Sequence, residues 1–231
     1  MFNKFLLPPD VFFRHHLIAS CVRDATNILD VGGSLGELRK FLPTARITTA
    51  DVIPGADVLY DGKRLPFPNQ SWNVVVSVDT LEHIPEHQRL PFVSELVRIA
   101  KRQVILIAPY GSVTHERYEG ELVDAFKKDR KKIPGYLLEH RAYGLVSEEF
   151  CTRLKKEFTV SIQHIGLVSL DRINFKVHTF EFQFGPLNRL TYFIKFVWNV
   201  AENILLSVQP SFVMNPPSDQ ASRVIMTIEK P

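Results

Sequence analysis

Apolar and polar positions alternate along the first half of the chain in two rhythms. Short runs dominated by branched apolar residues, around Ile28-Leu29-Val31, Ile47, Val74-Val75-Val76 and Val104-Ile105-Leu106-Ile107, predict strands at about 27–31, 46–51, 73–78 and 103–108. Between them, three- and four-residue spacings predict helices over 10–24, 35–42 and 86–101. Strands that alternate with helices make an α/β protein with a mostly parallel sheet. Farther on, the pattern predicts a helix at 147–158, a strand at 159–165 and a last strand at 223–229. The long stretch 166–220 carries an amphipathic helix at about 187–208. There Leu190, Phe193, Ile194, Val197, Trp198, Ala201, Ile204, Leu205 and Val208 recur on one side, opposite Asn188, Tyr192, Lys195, Asn199 and Glu202. One face of such a helix must be covered. Its expected role is to cap a pocket or to pair with a second copy, ahead of resting on a membrane.

The densest chemistry lies in Asn27 to Gly36, NILDVGGSLG, where a strand delivers Asp30 to a turn of Gly32, Gly33, Ser34 and Gly36. A dinucleotide site wants G-x-G-x-x-G, so that a pyrophosphate can sit on bare backbone at a helix N-terminus. Here the glycines are spaced otherwise, and an acid precedes them. Asp30 would repel phosphates and attract a cation, so the turn suits S-adenosylmethionine, with its sulfonium and ammonium, rather than NAD. The pattern D-x-G-x-S-x-G resembles the first motif of the class I S-adenosylmethionine-dependent methyltransferases, with Ser34 where that family has its middle glycine. Asp51 ends the next strand about 20 residues on, where an acid accepts both hydroxyls of a ribose; Val52 follows it. Asp61-Gly62, ahead of Leu65-Pro66-Phe67, resembles the segment that contacts the adenine, and Asp79-Thr80-Leu81-Glu82-His83 resembles the end of the family's fourth strand.

The resemblance covers about 27–111 and is nearest to the branch that includes the menaquinone and ubiquinone methyltransferases. It implies a seven-stranded, mostly parallel sheet with helices on both faces and S-adenosyl-L-methionine across the first strands, leaving as S-adenosyl-L-homocysteine. The implied cofactor-binding residues are Asp30, Gly32, Gly33, Ser34, Gly36, Asp51, Val52, Asp61, Gly62 and Asp79. Methyl transfer to a hydroxyl needs a proton acceptor. His83, beyond the fourth strand, and His115, after the loop that ends the fifth, are the candidate catalytic bases. His140, with Arg141 and Tyr143, could line the acceptor pocket, but a plain surface role is the expectation. Asp79, Glu82 and His83 form a D-x-x-E-H set similar to one that binds a divalent ion in small-RNA 2′-O-methyltransferases. Because LEH at this position is widespread in members not known to use metal, no metal is assigned.

Composition narrows the class without naming the acceptor. A chain of 231 residues can bury a substantial core as one domain, 1–231, with 111–145 and 166–220 as acceptor-side insertions. Cys21 and Cys151 are too few for a zinc site or a disulfide framework and suit a reducing compartment, so the expected location is cytoplasmic. The N-terminal segment is interrupted by Pro8, Pro9 and Asp10, and no stretch reaches the ~20 apolar residues of a membrane span. Net charge is only +3, and the basic run from Lys127 to Lys132 reads as a solvated helix end. Asn215-Pro216-Pro217-Ser218 resembles the N-P-P-aromatic motif of amino-directed DNA methyltransferases but follows the wrong strand and lacks the aromatic. Nucleic acid is therefore not the expected partner. The expected activity is O-methylation of a small-molecule or glycan-type acceptor; HERYEG and LEHRAYGL faintly resemble methyltransferases of bacterial surface-polysaccharide assembly. The alternatives are an isoprenoid or quinone lipid at a membrane surface, and a cofactor-binding partner subunit that has lost catalysis.

Overall fold

The computed structural model describes residues 2–22, 26–33, 36–181 and 187–230. Seven strands, β1 (Asn27–Val31), β2 (Arg46–Asp51), β3 (Val58–Leu59), β4 (Trp72–Val78), β5 (Ala100–Pro109), β6 (Val160–Ile165) and β7 (Arg223–Glu229), form one sheet in the order β3-β2-β1-β4-β5-β7-β6. The first five run parallel, whereas β7 is antiparallel to both β5 and β6. The central strands are buried on both faces, which is why they read as continuous apolar runs. Leu29, Val31, Val75, Val104 and Leu106 pack on one side with residues of α2 (Glu86–Ile99) and α5 (Glu148–Glu157). Ile28, Val74, Val76, Ile105 and Ile107 pack on the other with Phe12, Leu17 and Ile18 of α1 (Pro9–Cys21). Successive side chains of one strand thus feed two cores.

Several boundaries differ from expectation. The helix expected at 35–42 is one 3-10 turn, Glu37–Lys40, entered through Gly36 in the left-handed region and followed closely by Pro43. The helix expected to reach residue 101 ends at Ile99, because Ala100 is already extended and pairs with Trp72. Segment 111–145 folds into α3 (Val113–Lys128), capped by Ser112, and α4 (Gly135–Tyr143). An unforeseen α6 (Val168–Thr179) precedes α7 (Asn188–Val208).

Helix α7 is where expected, but its outward face is the apolar one. Thr191, Glu202, Asn203 and Leu206 are buried, whereas Leu190, Phe193, Ile194, Phe196, Val197, Ile204, Leu205 and Val208 are exposed. Polar bonds fix this orientation. Asn203 Nδ2 donates to the carbonyls of Phe5 and Leu7 at 3.0 and 2.8 Å, Asn174 Nδ2 donates to Glu202 at 2.9 Å, and Trp198 Nε1 donates to Asn174 Oδ1 at 2.8 Å. No helix among the described residues is long and apolar enough to cross a membrane.

Candidate active site

The carboxyl ends of β1 and β2 carry the residues assigned to the cofactor. Gly32 has φ +85°, and a Cβ there would lie 2.3 Å from Thr80 Oγ1; a Cβ on Gly33 would lie 2.2 Å from the Asp30 carboxylate. Both positions need bare backbone. Asp30 is 1% exposed, and neither of its oxygens has a hydrogen-bond partner among the described residues. Burial, reinforced by Asp51 and partly offset by Arg39, pushes its carboxyl up to about 7. A buried acid in this state is complementary to an incoming cation, which would favour its charged form. Asp51, buried at the end of β2, accepts the N–H groups of Val52 at 2.7 Å and Ile53 at 3.3 Å through Oδ1. Val52 and Ile53 are 54% and 53% exposed beside it, an open apolar wall fit for a flat ring. Asp61 and Gly62 occupy an exposed turn in which Asp61 Oδ1 accepts from Lys63 and Arg64 at 2.9 and 3.2 Å. The first of these bonds is the main cause that holds its carboxyl below the usual range. Ser34 lies outside the described residues. The orphaned Asp30, the bare Gly32-Gly33 turn and the open apolar wall fit a cationic nucleoside ligand.

At the carboxyl ends of β4 and β5, and at the start of β7, the chain forms a cavity of about 560 Å³. Its walls come from α1, the short 3-10 helix Leu81–His83, α3, α4, α6 and β7. The structure puts the carboxylate of Asp79 here, between Arg14 at 2.7 Å and Arg223. Burial raises the Asp79 carboxyl, but the two guanidinium groups outweigh it and hold it low. For Glu82 the same two guanidinium groups are too weak to compensate, and burial together with Asp79 pushes it up to about 8.

Both candidate bases line this cavity. His115 is buried, and its Nδ1 lies 2.9 Å from the Tyr110 carbonyl. A carbonyl only accepts, so the proton sits on Nδ1 and Nε2 is left basic, 3.7 Å from Glu119 Oε1. His83 is 38% exposed, with Nδ1 2.5 Å from Glu139 Oε2. Of the trio around His140, only His140 is buried; Arg141 and Tyr143 face outward, because α4 turns its Leu137–His140 side inward. Buried Arg89 fixes the end of α4. It donates to the carbonyls of Ile84 and Tyr143 at 3.0 Å and Leu145 at 3.1 Å, and to that of Gly144. Arg14, Glu119, Asp171 and Arg223 were not anticipated. Their one sequence signal is a charge at the edge of an apolar run, or, for Glu119, its position one helical turn after His115.

Residues 29–108 match a family described as a methyltransferase domain. Among solved structures, a S-adenosylmethionine-dependent methyltransferase from Archaeoglobus fulgidus is similar with 13% identity over 94% of this chain and 96% of that one, at a TM-score of 0.51. One from Thermotoga maritima gives 14% identity over 100% and 95%, at 0.53. Phosphoethanolamine N-methyltransferase 2 from Haemonchus contortus, in complex with S-adenosyl-L-methionine, gives 16% over 94% of this chain and 52% of that one, at 0.51. These likenesses are of fold. No curated protein matches the sequence. Residues 29–108 thus carry a methyltransferase domain, and the seven-stranded sheet has the fold of S-adenosylmethionine-dependent methyltransferases.

Proposed function

We propose that the chain methylates an oxygen of a small, hydroxyl-bearing acceptor of glycan type held in the 560 Å³ cavity. The observation that carries this reading is His115, whose fixed tautomer leaves a basic Nε2 at the cavity wall. The bound cofactor supplies an electrophilic methyl on sulfur, and the chain's own residues do the rest. Asp51 holds the ribose hydroxyls, Asp30 faces the cationic end, and Gly32-Gly33 let the ligand approach the backbone. His115 Nε2 takes the acceptor's hydroxyl proton, and Glu119, 3.7 Å away, stabilises the resulting imidazolium. Aromatic faces of Tyr118, Tyr136 and Phe175 and carboxylates of Asp10 and Asp171 around the same space suit a sugar-like acceptor, with C–H faces to stack and hydroxyls to donate. We assign the whole chain to one domain in the cytoplasm, with 111–145 and 166–220 selecting the acceptor, and name no nucleic acid as partner.

Labelled cofactor incubated with fractionated small molecules, read by product mass, tests the reading. His115→Gln should lower turnover by roughly 10²- to 10⁴-fold with little change in cofactor affinity. If His115→Gln and His83→Gln both keep full activity, catalysis is by positioning alone; products methylated only at nitrogen overturn the oxygen assignment, and no product from any fraction favours a silent partner subunit.

The outward stripe of α7 favours a second element of the reading, contact with another copy of this chain through that helix. Phe193→Ser with Phe196→Ser should turn a dimer into a monomer by light scattering. A wild-type monomer that sediments with liposomes, and loses this in the double variant, supports a lipid acceptor at a membrane instead.

A further inference from the structure

Two histidines and a glutamate converge on one wall of the cavity. Glu82 and His83 end the short helix after β4, His140 stands on α4, and one ligand atom from each lies within 4.8 Å of the others. Glu82 is 1% exposed, and its Oε2 has no hydrogen-bond partner among the described residues. A buried carboxylate oxygen left unpaired is costly unless something cationic joins it. Both histidines are also oriented from behind: Nδ1 of His83 meets Glu139 at 2.5 Å, and Nδ1 of His140 meets Glu119 at 2.7 Å. An ionised carboxylate only accepts, so each imidazole carries its proton on Nδ1 and keeps a lone pair on Nε2. His83 Nε2 lies 3.9 Å from Glu82 Oε1. Imidazoles held through one nitrogen by a carboxylate, with the other nitrogen available, are arranged as metal ligands are.

We propose that Glu82, His83 and His140 bind one divalent transition-metal ion, zinc or manganese. Two imidazole nitrogens and one carboxylate suit these ions, whereas magnesium prefers an all-oxygen shell. Asp79 is not part of the set, since its oxygens are held by Arg14 and Arg223; His140, distant in sequence, takes the place that D-x-x-E-H would give to the first acid. Bonds of about 2.0–2.2 Å require the three ligand atoms to draw closer together. His83, exposed at the end of its short helix, is the one free to move. The open coordination positions face the cavity. There an acceptor oxygen would meet the ion close to His115, which shares Glu119 with His140. This role for the ion rests on the oxygen-methylation reading; the site itself does not.

Metal binding is measured without cofactor or acceptor, on the full chain stripped with chelator. Zinc and manganese should each bind at one equivalent by calorimetry, and cobalt, as a spectroscopic stand-in, should give d–d absorption. Glu82→Gln, His140→Gln and the exposed His83→Gln should each weaken binding at least tenfold, and Glu119→Gln, acting from behind His140, roughly 10- to 100-fold. His178→Gln, on the same cavity but outside the cluster, should bind like the wild type. Circular dichroism confirms that each variant folds. No one-equivalent binding of zinc or manganese by the wild type, a preference for magnesium, or wild-type affinity in His83→Gln overturns the site while leaving methyl transfer untouched. Methyl transfer that fails while the ion binds overturns only the function.

Discussion

The two ends of the active edge handle charge in opposite ways. On the cofactor side, Asp30 is buried with no partner among the described residues and is pushed up to about 7. On the acceptor side, Asp79 is bracketed by Arg14 and Arg223, Glu119 is bonded to His140, and Arg223 reaches across the sheet from the last strand. The first region holds a buried acid whose charged form a cationic ligand would favour. The second, Glu82 apart, is internally compensated and stands ready as a shaped polar cavity. A site that binds by electrostatic relief can be built from one short turn, whereas a pre-paired cavity needs residues from six elements.

Neutralising one charge on each side should therefore shift stability in opposite directions. Arg223→Met leaves Asp79 with only Arg14 and should destabilise the fold by about 3 kcal/mol, the lower end for a broken buried pair. Chemical denaturation reads this directly; an unchanged midpoint would mean that the ion pairs on the cavity wall contribute nothing.

Asp30→Asn should do the reverse in the ligand-free protein, with a pH signature. The folded-state pKa is raised from 3.8 to about 7, so the wild type loses stability as pH rises from about 4 to 7 and no further above that. The variant lacks this loss. Its thermal midpoint should exceed that of the wild type by a margin that widens from pH 4 to 7 and is then constant, while its cofactor affinity falls. A margin that narrows with rising pH would show that Asp30 has a cationic partner in the ligand-free fold.

This contrast also explains what was readable in sequence. Asp30, Gly32 and Gly33 lie in one short turn whose bare backbone the geometry requires, so a short pattern carries them. The position of Asp51 at the end of β2 was legible because strand and crossover lengths in an α/β fold place it. The strands stood out because Ile28, Leu29, Val75, Val76 and their neighbours are apolar on both faces. Arg14, Glu119, Asp171 and Arg223 gave no pattern, since each is a single charge whose partners are brought to it only by tertiary folding. Helix α6 escaped notice because only Val168 is fully buried along it, so its periodicity is weak. In α7 the periodicity reveals two faces but not which one turns inward. Asn203, Glu202 and Trp198 decide that through bonds to Phe5, Leu7 and Asn174.

The separation of cofactor holding from acceptor chemistry is tested most directly by calorimetry with S-adenosyl-L-homocysteine on the wild type, Asp51→Ala and His115→Gln. Charge-assisted bonds are worth roughly 1.5–3 kcal/mol each, so Asp51→Ala should bind at least tenfold more weakly, and His115→Gln should bind like the wild type. Wild-type affinity in Asp51→Ala, or a comparable loss in His115→Gln, would contradict the division of the site.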